Sequence, residues 1–320
     1  MRAVVFEEYG DRSVLQVRDR PAPVPVPGQA LVLVEASGVN FMDVYQRTGT
    51  YQVPLPAVLG SEGAGTVLSF GDDVQGLSPG DRVAWAAFPG SHAEQALVPA
   101  DRLAPVPEGI STEQAAAAIL QGLTAHYLTH DSFPVRAGDA VLVHAAAGGM
   151  GQLLTRLVTH LGGRVVATAS TPEKRAVALA NGAVAAVPYG DAADAVRDVT
   201  DGEGADAVYD GVGKDTFDTS LAVLRPRGSL VLFGASSGKV PAFDPLRLMA
   251  GSYFLTRPTL AHFIAARHEL LERSETLFRW IADGVLDIPI TGRYPLDAVA
   301  DAYAALEGRE STGKLLLIPS

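Results

Sequence analysis

Between residues 140 and 152 the chain reads Ala-Val-Leu-Val-His-Ala-Ala-Ala-Gly-Gly-Met-Gly-Gln, which is an apolar run, a turn of small residues and the opening of a helical pattern. The spacing predicts a buried strand delivered directly into a helix. Small side chains at Ala145, Ala146, Ala147, Gly148, Gly149 and Gly151 let the backbone approach a ligand, and a helix start presents unpaired N–H groups and the positive end of its dipole. A dinucleotide pyrophosphate needs that arrangement. A turn of this kind alone also serves as a plain strand-to-helix connection, so the decision rests on its surroundings.

Those surroundings alternate. Strand-like runs at 140–144, 164–169, 184–187, 207–209 and 229–233 are interleaved with helical patterns at 152–161, 173–180 and 217–224. The alternation predicts an α/β unit with a doubly wound parallel sheet, the Rossmann arrangement. In the first helix Leu153, Leu154, Leu157, Val158 and Leu161 make one apolar stripe. The second opens with Thr171-Pro172-Glu173, a capping hydroxyl followed by proline where its missing N–H does no harm.

The first hundred residues have another texture: short strand-like runs at 30–34, 65–67, 83–86 and 96–98, entered through turns such as Pro27-Gly28-Gln29 and Pro79-Gly80-Asp81. A β-rich domain is expected. A helix follows from Ser111-Thr112 to Tyr127, and the tail carries helical patterns at 267–282 and 297–306 and a strand at 314–318. This tail is expected to return to the β-rich domain as an edge strand. The division is therefore 1–122 with 262–320 for the β-rich domain and 123–261 for the nucleotide domain, two domains being usual for 320 residues.

Composition removes several classes of function. With no cysteine, disulfides, thiol nucleophiles, iron–sulfur clusters and cysteine zinc sites are excluded. A net charge of −11 disfavours nucleic acid and anionic lipid as partners. The acidic opening through Glu7 and Glu8, and the lack of any long uncharged apolar run, predict a soluble cytoplasmic protein without a membrane span. His126 and His130 have helical spacing, but no glutamate follows His126 to complete a zinc-binding motif, so they are expected to be structural.

About 20 residues past the glycine turn, NAD-binding units place a carboxylate for the ribose hydroxyls. Here the strand ends Ala167-Thr168-Ala169-Ser170, followed by Lys174 and Arg175. A hydroxyl and cations suit a 2′-phosphate, so the expected cofactor is NADPH.

At this point the sequence resembles the medium-chain dehydrogenase/reductase superfamily and, within it, the zinc-free quinone oxidoreductases that include zeta-crystallin. The resemblance spans the chain and is carried by residues 36–43, 59–65, 121–125, 144–151, 209–213 and 233–238. It implies a GroES-like catalytic domain beside the Rossmann domain. In the zinc-dependent branch, ligating cysteine and histidine occupy the places that Ser37 and Ser61 hold here, which implies no metal. The resemblance further implies that Asn40, Asp43, Tyr45 and Thr124 lie near the nicotinamide and Tyr127 beside the cofactor. Gly148, Gly149, Met150 and Gly151 would cradle the pyrophosphate. Ser170, Lys174 and Tyr189 would take the 2′-phosphate, and Gly213, Phe233, Gly234, Ser236, Phe254, Thr256 and Arg309 would line the rest of the groove.

The implied chemistry is transfer of hydride, or of electrons, from NADPH to a quinone in the cleft between domains, with the proton coming from Tyr45 or from water, Tyr45 otherwise orienting the substrate, and Asn40 as the second catalytic candidate. The rival substrates are a conjugated enone or alkenal, or an acrylyl-CoA, the last requiring a basic patch at the cleft mouth. A non-catalytic, crystallin-like NADPH-binding role is the rival from another class. The resemblance also suggests a homodimer joined through nucleotide-domain edges around 251–255, an apolar run with no evident partner in its own chain.

Overall fold

Apolar runs bounded by glycine and proline turns form antiparallel strands in the first part of the chain, and the turn glycines Gly28 and Gly80 have φ of +82° and +96°, where a side chain would be strained. The computed structural model describes residues 1–308 and 312–319. It divides into two units, 1–123 with 264–283 and 288–320, and 124–263 with 284–287.

In the first unit the chain forms β1 (Arg2–Phe6), β2 (Gln16–Asp19), β3 (Gln29–Gly38), α1 (Phe41–Arg47), β4 (Ala57–Val58), β5 (Glu62–Phe70), β6 (Arg82–Ala86), β7 (Gln95–Pro99), β8 (Ala104–Pro105) and α2 (Thr112–Tyr127), whose last residues belong to the second unit. The second unit continues with β9 (Ala140–Val143), α3 (Gly149–His160), β10 (Arg164–Thr168), α4 (Pro172–Ala180), β11 (Ala185–Val187), α5 (Ala192–Val199), β12 (Ala205–Asp210), α6 (Phe217–Ala222), β13 (Leu224–Leu232), β14 (Phe254–Thr256) and α7 (Leu260–Phe263). The chain then returns to the first unit with α8 (Arg267–Ala282), β15 (Ile290–Pro295), α9 (Val299–Glu307) and β16 (Lys314–Ile318).

β3 is the hub of the first unit. It pairs antiparallel with β5 along one side, and on the other with β7 through 29–33 and with β16 at Ser37 and Gly38. The sheet order is β15-β16-β3-β5-β6-β8, with a separate sheet β2-β1-β4. The terminal strand was expected at an edge; instead β16 lies inside the sheet, because β15 pairs parallel with its outer side. Its Leu315 and Leu317 pack with Val4, Phe6, Val39, Leu59 and Tyr303, so burial on both faces follows from its near-continuous apolar run.

The second unit is a six-stranded parallel sheet in the order β11-β10-β9-β12-β13-β14. The central stretches of its strands are apolar because helices cover both faces. Leu142, Val166, Val208 and Leu230 meet Val196, Phe217 and Leu221 in one core. On α3 the stripe Leu153, Leu154, Leu157 and Val158 is buried. The apolar run near 251–255 does find a partner in its own chain: Phe254, Leu255 and Thr256 pair parallel with Ser229, Leu230 and Val231 of β13. The partner was hidden because the connection between β13 and β14 is long and irregular. Among the described residues no helix is long and apolar enough to cross a membrane.

Candidate functional site

The glycine turn occupies the C-terminal end of β9. Its first residue, Ala145, adopts a left-handed φ of +51°, and Gly148 is the N-cap of α3, with no side chain capping the helix start. The backbone N–H groups of the first turn thus remain available to a ligand. Gly151 cannot be any other residue at this separation: a Cβ would lie 2.3 Å from Ala145 O and 2.5 Å from Ala146 Cα. A Cβ on Gly234 would lie 2.4 Å from Gly211 O. Gly213, with φ +91°, abuts Gly238 O in the same way. The turn after β9 therefore folds tightly on itself, and the segments after β12 and β13 approach each other at distances that exclude side chains; an anionic dinucleotide fits this edge of the sheet.

Beside the glycine turn, β10 ends at Thr168 and the Thr171 hydroxyl caps α4 through Lys174 N at 3.3 Å. Ser170 is exposed and Lys174 half-buried in the first turn of that helix. Arg175 leans back onto the loop, its guanidinium 3.4 Å from Ala169 O. Tyr189 follows β11, which pairs with β10 through Thr168 and Val187, so the strand ends carrying Ser170 and Tyr189 are neighbours. No carboxylate stands at the end of β10.

Phe233, Gly234 and Ser236 follow the end of β13 on the same edge, with Ser236 N bonded to Gly211 O at 3.2 Å. Thr256 pairs with Val231 near that edge, whereas Phe254 pairs with Ser229 and is set back from Thr256 by about 7 Å at the rise of a strand. Phe254 is 63% exposed. Thr124 is half-buried on α2, and Tyr127 is buried with its ring stacked on Phe263 at 4.2 Å. Arg309 lies outside the described residues. His126 and His130 stack face to face at 4.5 Å, a geometry that does not converge two lone pairs on a metal ion.

The first unit holds a buried polar cluster that sequence patterning reveals only in part. Asn40 caps α1, and its own N–H donates to Asp43 Oδ2 at 2.9 Å. Asp43 also accepts from Ser61 Oγ at 2.6 Å and from Tyr303 OH at 2.9 Å. Tyr303 OH lies 2.8 Å from His92 Nε2, and His92 Nδ1 lies 2.6 Å from Ser37 Oγ. Asn40 Nδ2 donates to Glu62 Oε1 at 2.7 Å, Glu62 Oε2 accepts from Leu120 N, and the Lys314 ammonium bonds both Asn40 Oδ1 and Glu62 Oε1. Asp43, Glu62, His92 and Tyr303 are fully buried. His92, Tyr303 and Lys314 were not singled out in the sequence; a lysine heading the apolar strand Lys-Leu-Leu-Leu-Ile was the available signal for the last.

Tyr45, on the same short helix, is half-buried, with its ring edge-on to Tyr51 at 5.3 Å. The donor set does not suit zinc. Ser37 and Ser61 offer neutral hydroxyls already bonded within the protein, and the Lys314 cation occupies the same cluster. Among the described residues no three His, Asp or Glu converge as a metal site.

Two family models match the chain: "Alcohol dehydrogenase GroES-like domain" over 26–108 and "Zinc-binding dehydrogenase" over 149–279. With the β-rich unit and the six-stranded sheet, they define a medium-chain dehydrogenase/reductase, although the zinc named in the second description finds no suitable ligands here. A quinone oxidoreductase of Pseudomonas aeruginosa is 39% identical over 99% of this chain and 99% of its own. A 2-haloacrylate reductase of a Burkholderia species is also 39% identical, over 92% of each chain. A mycobacterial protein solved in complex with NADPH is 46% identical over the whole of both chains, with a TM-score of 0.97. The chain belongs to the quinone oxidoreductase family.

The buried cluster has a signature in pH. Burial pushes the Asp43 carboxyl up from 3.8 to about 6 despite the Ser61, Tyr303 and Asn40 hydrogen bonds. Between these values the unfolded chain has released a proton that the folded chain retains, so this group's contribution to stability falls as pH rises. Burial, with the Lys314 cation, pushes His92 down from 6.5 to about 3, so its contribution rises with pH across that interval. Asp43→Asn removes the first and keeps the second. Relative to the parent, the variant is expected to gain unfolding free energy steadily from about pH 4 to pH 6 in denaturant titrations; a constant difference over that range would refute the assignment.

Proposed function

We propose that the chain is an NADPH-dependent quinone reductase working without a metal ion, and the observation that carries this reading is the pairing of the glycine-rich, uncapped helix start at Gly148–Gly151 with Ser170 and Lys174 where an NAD-binding unit carries a carboxylate. The relatives' names point the same way. When bound, NADPH supplies the reducing equivalents, as hydride or as single electrons.

In this reading the amides of Gly149, Met150 and Gly151 bind the pyrophosphate, and Ser170, Lys174 and Tyr189 bind the 2′-phosphate. Thr124, Tyr127, Gly213, Phe233, Gly234, Ser236 and Thr256 border the remainder of the cofactor, and Phe254, set back on its strand, is the weakest member of this set. In the first unit, Tyr45 is our candidate to protonate the reduced oxygen. Asn40, held by Asp43, Glu62 and Lys314, is our candidate to orient the substrate. A second reading, reduction of a conjugated alkene by the same machinery, is favoured by the 2-haloacrylate reductase relative.

We further propose a cytoplasmic homodimer. The outer side of β14 is a sheet edge, and Leu246, Met249 and Phe254 expose 68, 76 and 63% of their surfaces nearby.

Turnover decides between these readings. Purified protein is expected to oxidise NADPH with quinones faster than with any haloacrylate or enone in a common panel. The reverse order selects alkene reduction, and tight NADPH binding with no turnover overturns both. Lys174→Ala is expected to weaken NADPH by about tenfold or more, the worth of a charge-assisted hydrogen bond, with NADH affected little. Equal loss of both cofactors in a binding titration refutes the 2′-phosphate assignment. Tyr45→Phe is expected to lower kcat by about tenfold or more without changing the affinity for NADPH; an unchanged kcat removes Tyr45 as proton donor.

A further inference from the structure

Beneath the glycine turn lies a second buried chain of polar groups, all in the nucleotide-binding unit. Asp210, at the end of β12, accepts from Val212 N at 2.8 Å and Gly213 N at 2.9 Å, from the Thr216 hydroxyl, and from Ser220 Oγ at 2.8 Å. Ser220 Oγ lies 3.1 Å from His144 Nε2, and His144 Nδ1 lies 2.8 Å from Thr168 Oγ1 at the end of β10. His144 itself follows β9 immediately and bonds Tyr209 O through its backbone N–H. Ring and backbone together, His144 therefore joins the ends of β9, β10 and β12 and α6.

The proton positions follow from the partners. Ser220 has one hydrogen, and the Asp210 carboxylate takes it, so Nε2 must donate to the serine oxygen. Nδ1 is then the acceptor for the Thr168 hydroxyl. Both ring nitrogens are committed, and the plane of the ring is fixed. Burial pushes the His144 pKa down, so the ring stays neutral near pH 7. Despite its company of serine and aspartate, this is no nucleophilic triad: Ser220 donates to the carboxylate, is itself fully buried, and has no hydrogen left for the imidazole to remove.

The exposed side of this brace carries the consequence. The ring of Tyr189 lies nearly parallel to the fixed imidazole, with centroids 5.9 Å apart and planes 13° from each other. Tyr189 sits half-buried at the start of a short turn after β11, with one ring face toward the imidazole.

We propose that His144 is a positioning residue for cofactor selection: its ring, fixed by Thr168 and Ser220, holds the Tyr189 ring in the orientation that meets the 2′-phosphate. This rests on the NADPH reading above. His144 touches no cofactor atom in the proposal, and its effect on selectivity passes through Tyr189.

The test compares His144→Asn, which keeps hydrogen-bonding groups but removes the ring, with Tyr189→Leu and the double variant. Dissociation constants for NADPH and NADH are measured by titration, and thermal midpoints by melting. His144→Asn is expected to lower the preference for NADPH over NADH about threefold to tenfold, the range a ring-stacking contact supports, with NADH affinity unchanged. The double variant is expected to lose no more preference than Tyr189→Leu alone. Thr168→Val, which removes only the Nδ1 partner, is expected to shift the preference in the same direction by less, and it serves if His144→Asn does not fold. Parallel loss of both cofactors, a lowered melting point with preference intact, or additive effects in the double variant would each show a structural role only and overturn the proposal. If the unaltered protein shows no preference for NADPH, the parent reading fails instead. A preference abolished by Lys174→Ala but untouched by His144→Asn and Thr168→Val overturns this inference alone.

Discussion

The first unit depends on an ammonium ion sealed in its interior. Lys314 and Glu62 are both buried, and neither charge would be tolerable alone, since removing one member of such a pair costs about 3–5 kcal/mol. The pair joins the last strand to the start of β5, and the other Glu62 oxygen accepts a backbone N–H from α2. Asn40 lies between the charges, which fixes the cap of α1 and so the helix that carries Tyr45. The hydroxyls at Ser37 and Ser61 belong to the same web, with His92 and Tyr303 connecting them. Lys314 itself reaches neither serine; it enters the web through Asn40 and Glu62.

The nucleotide-binding unit solves a related problem differently. Its tight turns are short of side chains because Gly151, Gly213 and Gly234 each touch backbone, so packing alone cannot hold them. Asp210 compensates by gathering the amides of Val212 and Gly213 and the hydroxyls of Thr216 and Ser220. A carboxylate with this many donors is well solvated inside the protein, and it converts a flexible Gly-Val-Gly segment into a fixed wall.

Local patterns were legible in the chain and distant ones were not. The strand at 140–143, the turn and α3 follow from a run of apolar residues succeeded by small ones, and α8 follows from its 3.6-residue repeat. Helix α5 has a clear apolar face of Ala192, Ala195, Val196 and Val199 but only eight residues, too short for its repeat to stand out from the loops on either side. The start of β13 was obscured by Arg225-Pro226-Arg227-Gly228, which reads as a turn although the strand continues through a shift in register. The partners in the buried webs could not be seen at all: Lys314 and Glu62 are 252 residues apart, and His92 and Tyr303 are 211. Pairing at that range is written in three dimensions, and a single sequence carries no periodicity that betrays it.

The position of β16 has a further consequence, in time. The second unit is nearly contiguous, so almost all of its sheet can assemble once residue 263 has emerged from the ribosome. The first unit begins earlier and finishes last: β3 waits for a neighbour that arrives with Leu316 and Leu317, and Glu62 waits for its counter-ion. Until those residues are in place Glu62 lacks its counter-ion and the edge of β3 beside Ser37 and Gly38 stays unpaired. The β-rich unit closes only when a segment 252 residues beyond Glu62 docks beside β3.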